Sequence, residues 1–359
     1  GEIEAAAVLE RFLQRSGIPT ARQEVDGFGV NVIATVPAES DEVGLLLNGH
    51  LDVVPPSSAM THPPFAAILE GDQLWGRGAA DMKGGLAAMA CGLAALKNAG
   101  VPLKRSVMLS AVASEEQGCR GTAVLVRRGV SARWAVVGEP TGLDLVIAHK
   151  GVDRYQVTIE GRSAHESMPK HGTNAIVHAA RIIATLDEKL FPTVKQHAHP
   201  LLDRATYNIG TIEGGISRNM VPDRCMFRIS KRWLPGDSAG TIRDEIEATI
   251  RRAEPEVQVS VVREPDVEQV PRPPLEISPD HLLTRTMSAA ISHVTGQNPA
   301  MRGWAAYTDG ALLQAAGIPT VVFGPGDLEL AHSDDEHILL SDVITAAEVY
   351  TTFASVSYT

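Results

Sequence analysis

Three stretches constrain the fold most: VGLLLNGH (43–50), RSVMLSAVAS (105–114) and WAVVGEP (134–140). Each is a strand-length run that is apolar almost throughout and then breaks to a polar residue. A strand with one wet face alternates apolar and polar residues, whereas a run without alternation is covered on both faces. Helical spacing occupies the ground around them. EIEAAAVLERFLQRS (2–16) stops at Gly17, KGGLAAMACGLAALKNAG (83–100) stops at Gly100, and GTAVLVRRG (121–129) is a short helix. A terminal glycine suits the left-handed backbone that closes many helices. Two-sided strands alternating with helices predict an α/β layer fold with a mixed, largely parallel sheet.

The texture changes near residue 151. GVDRYQVTIEGR (151–162) alternates, as a one-sided antiparallel strand does. A helix at 173–190, strands at 205–215 and 225–236, a helix at 239–254 and a strand at 257–265 complete an α+β unit. The Pro-rich VPRPPLEISP (270–279) reads as a linker. The α/β texture then resumes to the end of the chain. A chain of 359 residues is long for one core. The expected organisation is a discontinuous catalytic domain, 1–150 with 267–359, and an inserted domain, 151–266.

Composition narrows the function. With 44% hydrophobic and 21% charged residues the chain is globular. A formal net charge of -11 argues against nucleic acid, whose phosphates require a basic face. No apolar run approaches the roughly 20 residues that span a bilayer, so no membrane partner is expected. The three cysteines, Cys91, Cys119 and Cys225, are odd in number and widely spaced. They form no disulfide framework and fit a reducing compartment, so a cytoplasmic location is expected.

Acids and histidines gather where strands end. They are His50 and Asp52 in GHLDVVP, Asp81 in GRGAADMKGG, Glu115 and Glu116 in SEEQG, Glu139 in VVGEPT, and His332 in LELAHSDDE. Ligands of open α/β sheets bind at the carboxyl ends of strands. Several carboxylates in one cleft cannot all stay ionised without positive charge, which divalent metal supplies. Two histidines and several carboxylates without a thiolate suit zinc, cobalt or manganese. The count also suits two metals sharing a carboxylate, about 3.5–4 Å apart, which activate a water and clamp a carbonyl oxygen. Strand residues two apart share a face, so Asp52 can orient the imidazole of His50 while His50 holds metal. Adjacent Glu115 and Glu116 point apart, so one can bind metal while the other serves as general base. His197 and His199 in HAH read as solvated loop residues, and nothing marks Cys119 as a nucleophile.

In this order the motifs resemble those of the two-zinc amidohydrolases that include acetylornithine deacetylase, succinyl-diaminopimelate desuccinylase, aminoacylase and the glutamate-releasing carboxypeptidases. GRSAHESMPKHGTNAI, NMVPDRC, RWLPG and TDGALLQAAGIPTVVFGPG extend the resemblance over essentially the whole chain. It implies a zinc-exopeptidase-like catalytic domain and an inserted lid and dimerisation domain. By this resemblance His50, Glu116, Glu139 and His332 bind metal and Asp81 bridges two metals, with a cis peptide bond to Met82. Asp52 orients His50, and Glu115 is the general base. His165 reaches the active site of a partner subunit and steadies the oxyanion. Asn219 and Arg232 bind substrate, Arg232 by gripping a free carboxylate. Where the family often has Asp two residues before this Arg, this chain has Ser230. Tyr307, Thr308 and Asp309 mark a helix start without assigned chemistry. The implied activity is hydrolysis of N-acyl amino acids in a homodimer, with small-peptide hydrolysis as the alternative. A catalytically silent metal-binding dimer would lack a ligand or the base, and neither is missing.

Overall fold

Parallel pairing sets the ends of four strands side by side. In the computed structural model, which describes residues 1–196 and 198–356, Ser40–His50 runs parallel to Arg105–Val112 and to Trp134–Val137. Thr320–Val322 extends the parallel set beside Trp134–Val137. Antiparallel strands flank this centre. Gly29–Val36 pairs with Arg105–Val112 and then Thr20–Val25 with Gly29–Val36, while Leu145–His149 borders Thr320–Val322. Nine strands join this sheet among the described residues.

The missing alternation in sequence has a direct cause in packing. Leu45, Leu47, Val107, Leu109, Trp134, Val136 and Val321 enter one core, with helices Glu2–Arg15, Gly84–Ala99, Leu282–Thr295 and Leu340–Val356. Leu46, Ala135, Val137, Val146 and Val322 enter another, with Leu125 of Arg120–Arg127 and Leu313 of Gly310–Ala315. Each of the leucines and valines contributes about 1.5–3 kcal/mol through burial. Ala79–Ala99 is long and apolar enough to cross a membrane by length and composition, but it is largely buried in its own unit as a core helix.

The chain divides into two units, Gly1–Ala148 with the chain from Leu275 on, and His149–Pro274. The second has a four-stranded antiparallel sheet in the order Thr206–Gly214, Arg224–Trp233, Gly151–Glu160, Gln258–Arg263. Val157, Ile159, Phe227 and Ile229 pack with Ile182 of Ala175–Thr185 and Ile246 of Ala239–Ala253, whereas Ile212 and Val262 stand exposed. The far boundary falls after Pro274 and not at 266, and residues 270–279 are not a free linker. The amide of Val152 donates to the carbonyl of Arg272 at 2.9 Å, Arg272 is buried, and Leu275–Glu276 forms a strand of the large sheet. Of the two histidines of HAH, His197 lies outside the described residues.

Helix Gly84–Ala99 comes so close to the strand end at 138 that a Cβ on Gly85 would lie 2.0 Å from the carbonyl oxygen of Gly138. Only hydrogen fits there, and the contact fixes the chain that leads to Glu139. Gly85→Ala is therefore expected to lower stability by about 1–3 kcal/mol, the usual range for overpacking. Gly240→Ala, with open space around the added carbon, is expected to stay within about 0.5 kcal/mol of the parent. Denaturant unfolding of the two variants checks both values.

Candidate metal centre

The parallel strands deliver their ends to one place in the first unit. His50 is the last residue of Ser40–His50, Glu115 and Glu116 follow Arg105–Val112, and Glu139 follows Trp134–Val137. Asp81 comes from a tight turn at Ala79–Lys83, and its peptide bond to Met82 is cis. His332 comes from the loop after Thr320–Val322 and has a left-handed backbone, φ 62°.

Asp81 stands at the middle. Its Oδ1 lies 3.0 Å from Nε2 of His50 and its Oδ2 lies 3.1 Å from Nε2 of His332. On one side His50, Asp81 and Glu139 bring their donor atoms within 4.8 Å of one another, and on the other Asp81, Glu116 and His332 do the same. The sequence left open which acid accompanies which histidine. The fold groups Glu139 with His50 and Glu116 with His332, whose Nε2 is 2.8 Å from Oε1 of Glu116. The first group is buried and the second is partly open, with the side chain of His332 49% exposed.

Asp52 lies one step beyond the strand, and this changes how it acts. Nδ1 of His50 is 3.1 Å from the main-chain oxygen of Asp52 and 3.5 Å from its carboxylate. The carboxylate accepts the amides of Glu115 and Glu116 at 3.0 and 2.9 Å. Asp52 thus aligns the imidazole and clamps the turn carrying both glutamates. Those glutamates diverge as adjacent residues should. Glu116 meets His332, while Glu115 turns inward to the thiol of Cys119.

The electrostatics fit a divalent cation. Burial lifts Glu115 to about 8, with Asp309 adding to the shift, and burial lifts Glu139 well above the usual carboxylate range, with Asp81 adding. Burial also disfavours a charged Asp81, but hydrogen bonds from His332 and His50 outweigh it and hold this carboxyl low. His332 rises to about 10 beside Asp81 and Glu116, and His50 rises despite burial because Asp52 and Asp81 adjoin it. From within the chain, cationic imidazoles and the ammonium of Lys83, which acts on Asp52 and Asp81, offset part of this acidity. A divalent ion between the same atoms neutralises them and leaves the imidazoles as neutral ligands.

Three expected substrate-side residues lie in the second unit. His165 is exposed, and its Nδ1 accepts the amide of Ser167 at 3.2 Å, so Nε2 carries the ring proton. Asn219 is also exposed, its main-chain carbonyl accepts the amide of Glu166 at 3.2 Å, and its side-chain oxygen accepts the hydroxyl of Ser217. Nη1 of Arg232 is buried with no hydrogen-bond partner among the described residues. Burial and the neighbouring cations Arg154 and Arg272 weaken its hold on its proton, and Ser230 offers no counter-charge.

The model of "Peptidase family M20/M25/M40" matches residues 46–355. This chain belongs to the M20 family. Acetylornithine deacetylase of Myxococcus xanthus is 32% identical over 355 residues, 94% of this chain and 87% of that protein. An aminopeptidase of Bacillus cereus shares the fold with a TM-score of 0.80 at 22% identity, covering 99% of this chain and 93% of that one. A dinuclear metal-binding M20 peptidase of Bacillus subtilis does so with a TM-score of 0.74 at 18% identity, covering 100% and 93%. As an M20 member the chain is an enzyme that hydrolyses amide bonds.

One residue of this M20 site was not singled out in the sequence, where AHSDDE reads as an acidic loop. Glu336 is 1% exposed and accepts the amides of Gly78, Ala80 and Asp81 at 2.9, 3.1 and 3.1 Å while pairing with the buried guanidinium of Arg77. It holds the Asp81 turn from behind. Its sequence signal was an acid four residues beyond His332, indistinct beside Asp334 and Asp335. Glu336→Gln removes the charge that Arg77 requires and loosens that turn. Zinc affinity, measured by chelator competition, is expected to fall about 10–100-fold, as when groups behind metal ligands are altered. Unchanged affinity would mean that the turn holds itself.

Proposed function

We propose that this enzyme is a two-metal deacylase that cleaves small N-acyl amino acids to a carboxylic acid and a free amino acid. The observation that carries the proposal is Asp81, whose carboxylate is common to two three-residue ligand groups. His50, Asp81 and Glu139 would hold one divalent ion and Asp81, Glu116 and His332 the other, with zinc the first choice and cobalt or manganese accepted by the same donors. Such ions supply Lewis acidity toward the amide carbonyl and lower the pKa of water.

The chain's own groups do the rest. Glu115 takes a proton from the attacking water as oxygen adds to the carbonyl carbon, and returns it to the amine nitrogen as the C–N bond breaks. Burial raises the proton affinity of the Glu115 carboxylate, as a group that takes a proton in the transition state requires. Arg232, with a buried guanidinium nitrogen lacking a partner among the described residues, grips the substrate carboxylate, and Asn219 assists. His165 of a second copy donates its Nε2–H to the developing oxyanion, so the working form is a homodimer assembled through the inserted domain, which also acts as a lid. The similarity to an acetylornithine deacetylase supports an acyl amino acid as substrate. The peptidases that share the fold support a second reading, cleavage of dipeptides.

The test is a panel of N-acetyl-L-ornithine, N-acetyl-L-methionine, N-succinyl amino acids and dipeptides, assayed by release of free amine with zinc- or cobalt-loaded enzyme and chelated controls. Chelator-sensitive turnover of the acyl amino acids above the dipeptides is expected; the reverse order assigns the enzyme to dipeptides. Glu115→Gln is expected to keep its metals and lose about 10²–10⁴-fold in kcat. Near-parental turnover in that variant would refute Glu115 as the base.

A further inference from the structure

The proposed base has neighbours that the reaction just described does not use. Oε1 of Glu115 accepts the thiol of Cys119 at 3.4 Å. Asp309 is the third member of this group, with donor atoms of all three residues within 4.8 Å of one another. Asp309 is 1% exposed and its Oδ1 is buried with no hydrogen-bond partner among the described residues. Leaving a carboxylate oxygen so placed costs free energy unless the arrangement serves something.

Helix capping does not account for it. Asp309 occupies the cap position of Gly310–Ala315, yet its side chain accepts no amide of that helix, and the Thr308 hydroxyl takes the amide of Gly310 at 3.1 Å instead. The Asp309 carboxylate is held from the other direction. Nδ2 of Asn48 donates to Ser110 at 3.0 Å and to Thr122 at 3.2 Å. Because the Thr122 oxygen accepts from Asn48, its own hydrogen is free for Asp309, to which it is bonded, and Cys119 bonds to the same carboxylate. Asn48, Ser110 and Thr122 are all fully buried. The line of bonds therefore begins on the strand that carries His50 and ends at Glu115.

We propose that Cys119 and Asp309 are positioning residues for the base. The thiol has one hydrogen and faces two carboxylates. Held between them, it ties the rotation of the Glu115 carboxylate to the fixed line Asn48–Thr122–Asp309, with Oε1 toward sulfur and Oε2 left for water. No bond to sulfur is made or broken. This rests on the reading of Glu115 as base.

The test combines a spectrum with kinetics. The infrared difference between the zinc-loaded enzyme and its Cys119→Ser variant isolates the S–H stretching band of Cys119, without substrate. Asp309→Asn and Glu115→Gln are each expected to move that band, and Thr122→Val reads the same link if Asp309→Asn does not fold. With N-acetyl-L-ornithine, Cys119→Ala is expected to lose about tenfold or more in kcat with KM within about twofold, and Cys119→Ser to recover most of that loss. A band unmoved by both acid variants, or parental kcat in Cys119→Ala, overturns the proposal. Turnover surviving in Glu115→Gln would instead refute the base itself, while the band could still shift. The two failures are thus distinguishable.

Discussion

One carboxylate between two imidazoles organises the centre. Asp81 presents a different oxygen to each of His50 and His332, at 3.0 and 3.1 Å. His50 ends a strand and His332 lies in a loop, with 281 positions between them in a chain of 359 residues, so neither is so placed by local structure alone. The Asp81 turn has to be held rigidly, and it is. Glu336 gathers three amides of that turn, and Arg77 neutralises Glu336 where water does not reach. Breaking such a buried pair by removing one partner costs about 3–5 kcal/mol, so the turn is anchored by an interaction the fold cannot easily lose.

The sheet supplies the remaining geometry. Parallel neighbours end on the same edge, and that edge receives His50, the Glu115–Glu116 turn and Glu139 from three adjacent strands. Asp52 then links two of these strand ends, through its main-chain oxygen to His50 and its carboxylate to the glutamate amides. Burial of this acidic edge raises Glu115 and Glu139, so their ionised forms are favoured by cationic charge in the cleft. The same burial raises the proton affinity of Glu115, the base of the proposed reaction.

Much of this was legible in the sequence because it follows from local pattern. Unbroken apolar runs announced strands covered on both faces, and a polar residue at the end of each announced the site. The pairing of ligands was not legible, because it depends on where two loops far apart in sequence, those of Asp81 and His332, return to the sheet. Asp52 was read as a strand residue sharing a face with His50, but the strand ends at His50 and the contact comes mainly through the main chain. Glu336 was hidden among exposed acids, and Asp309 resembled an ordinary helix start until its carboxylate was seen turned away from the helix. The Pro-rich 270–279 segment looked like a linker because nothing local shows that Arg272 is buried or that Leu275 joins a sheet.

The most direct test of the central claim is anomalous diffraction from crystals grown with zinc. Two peaks per chain are predicted, one among His50, Asp81 and Glu139 and one among Asp81, Glu116 and His332, with the Asp81 carboxylate between them. A single peak, or two peaks that do not share Asp81, would contradict the account.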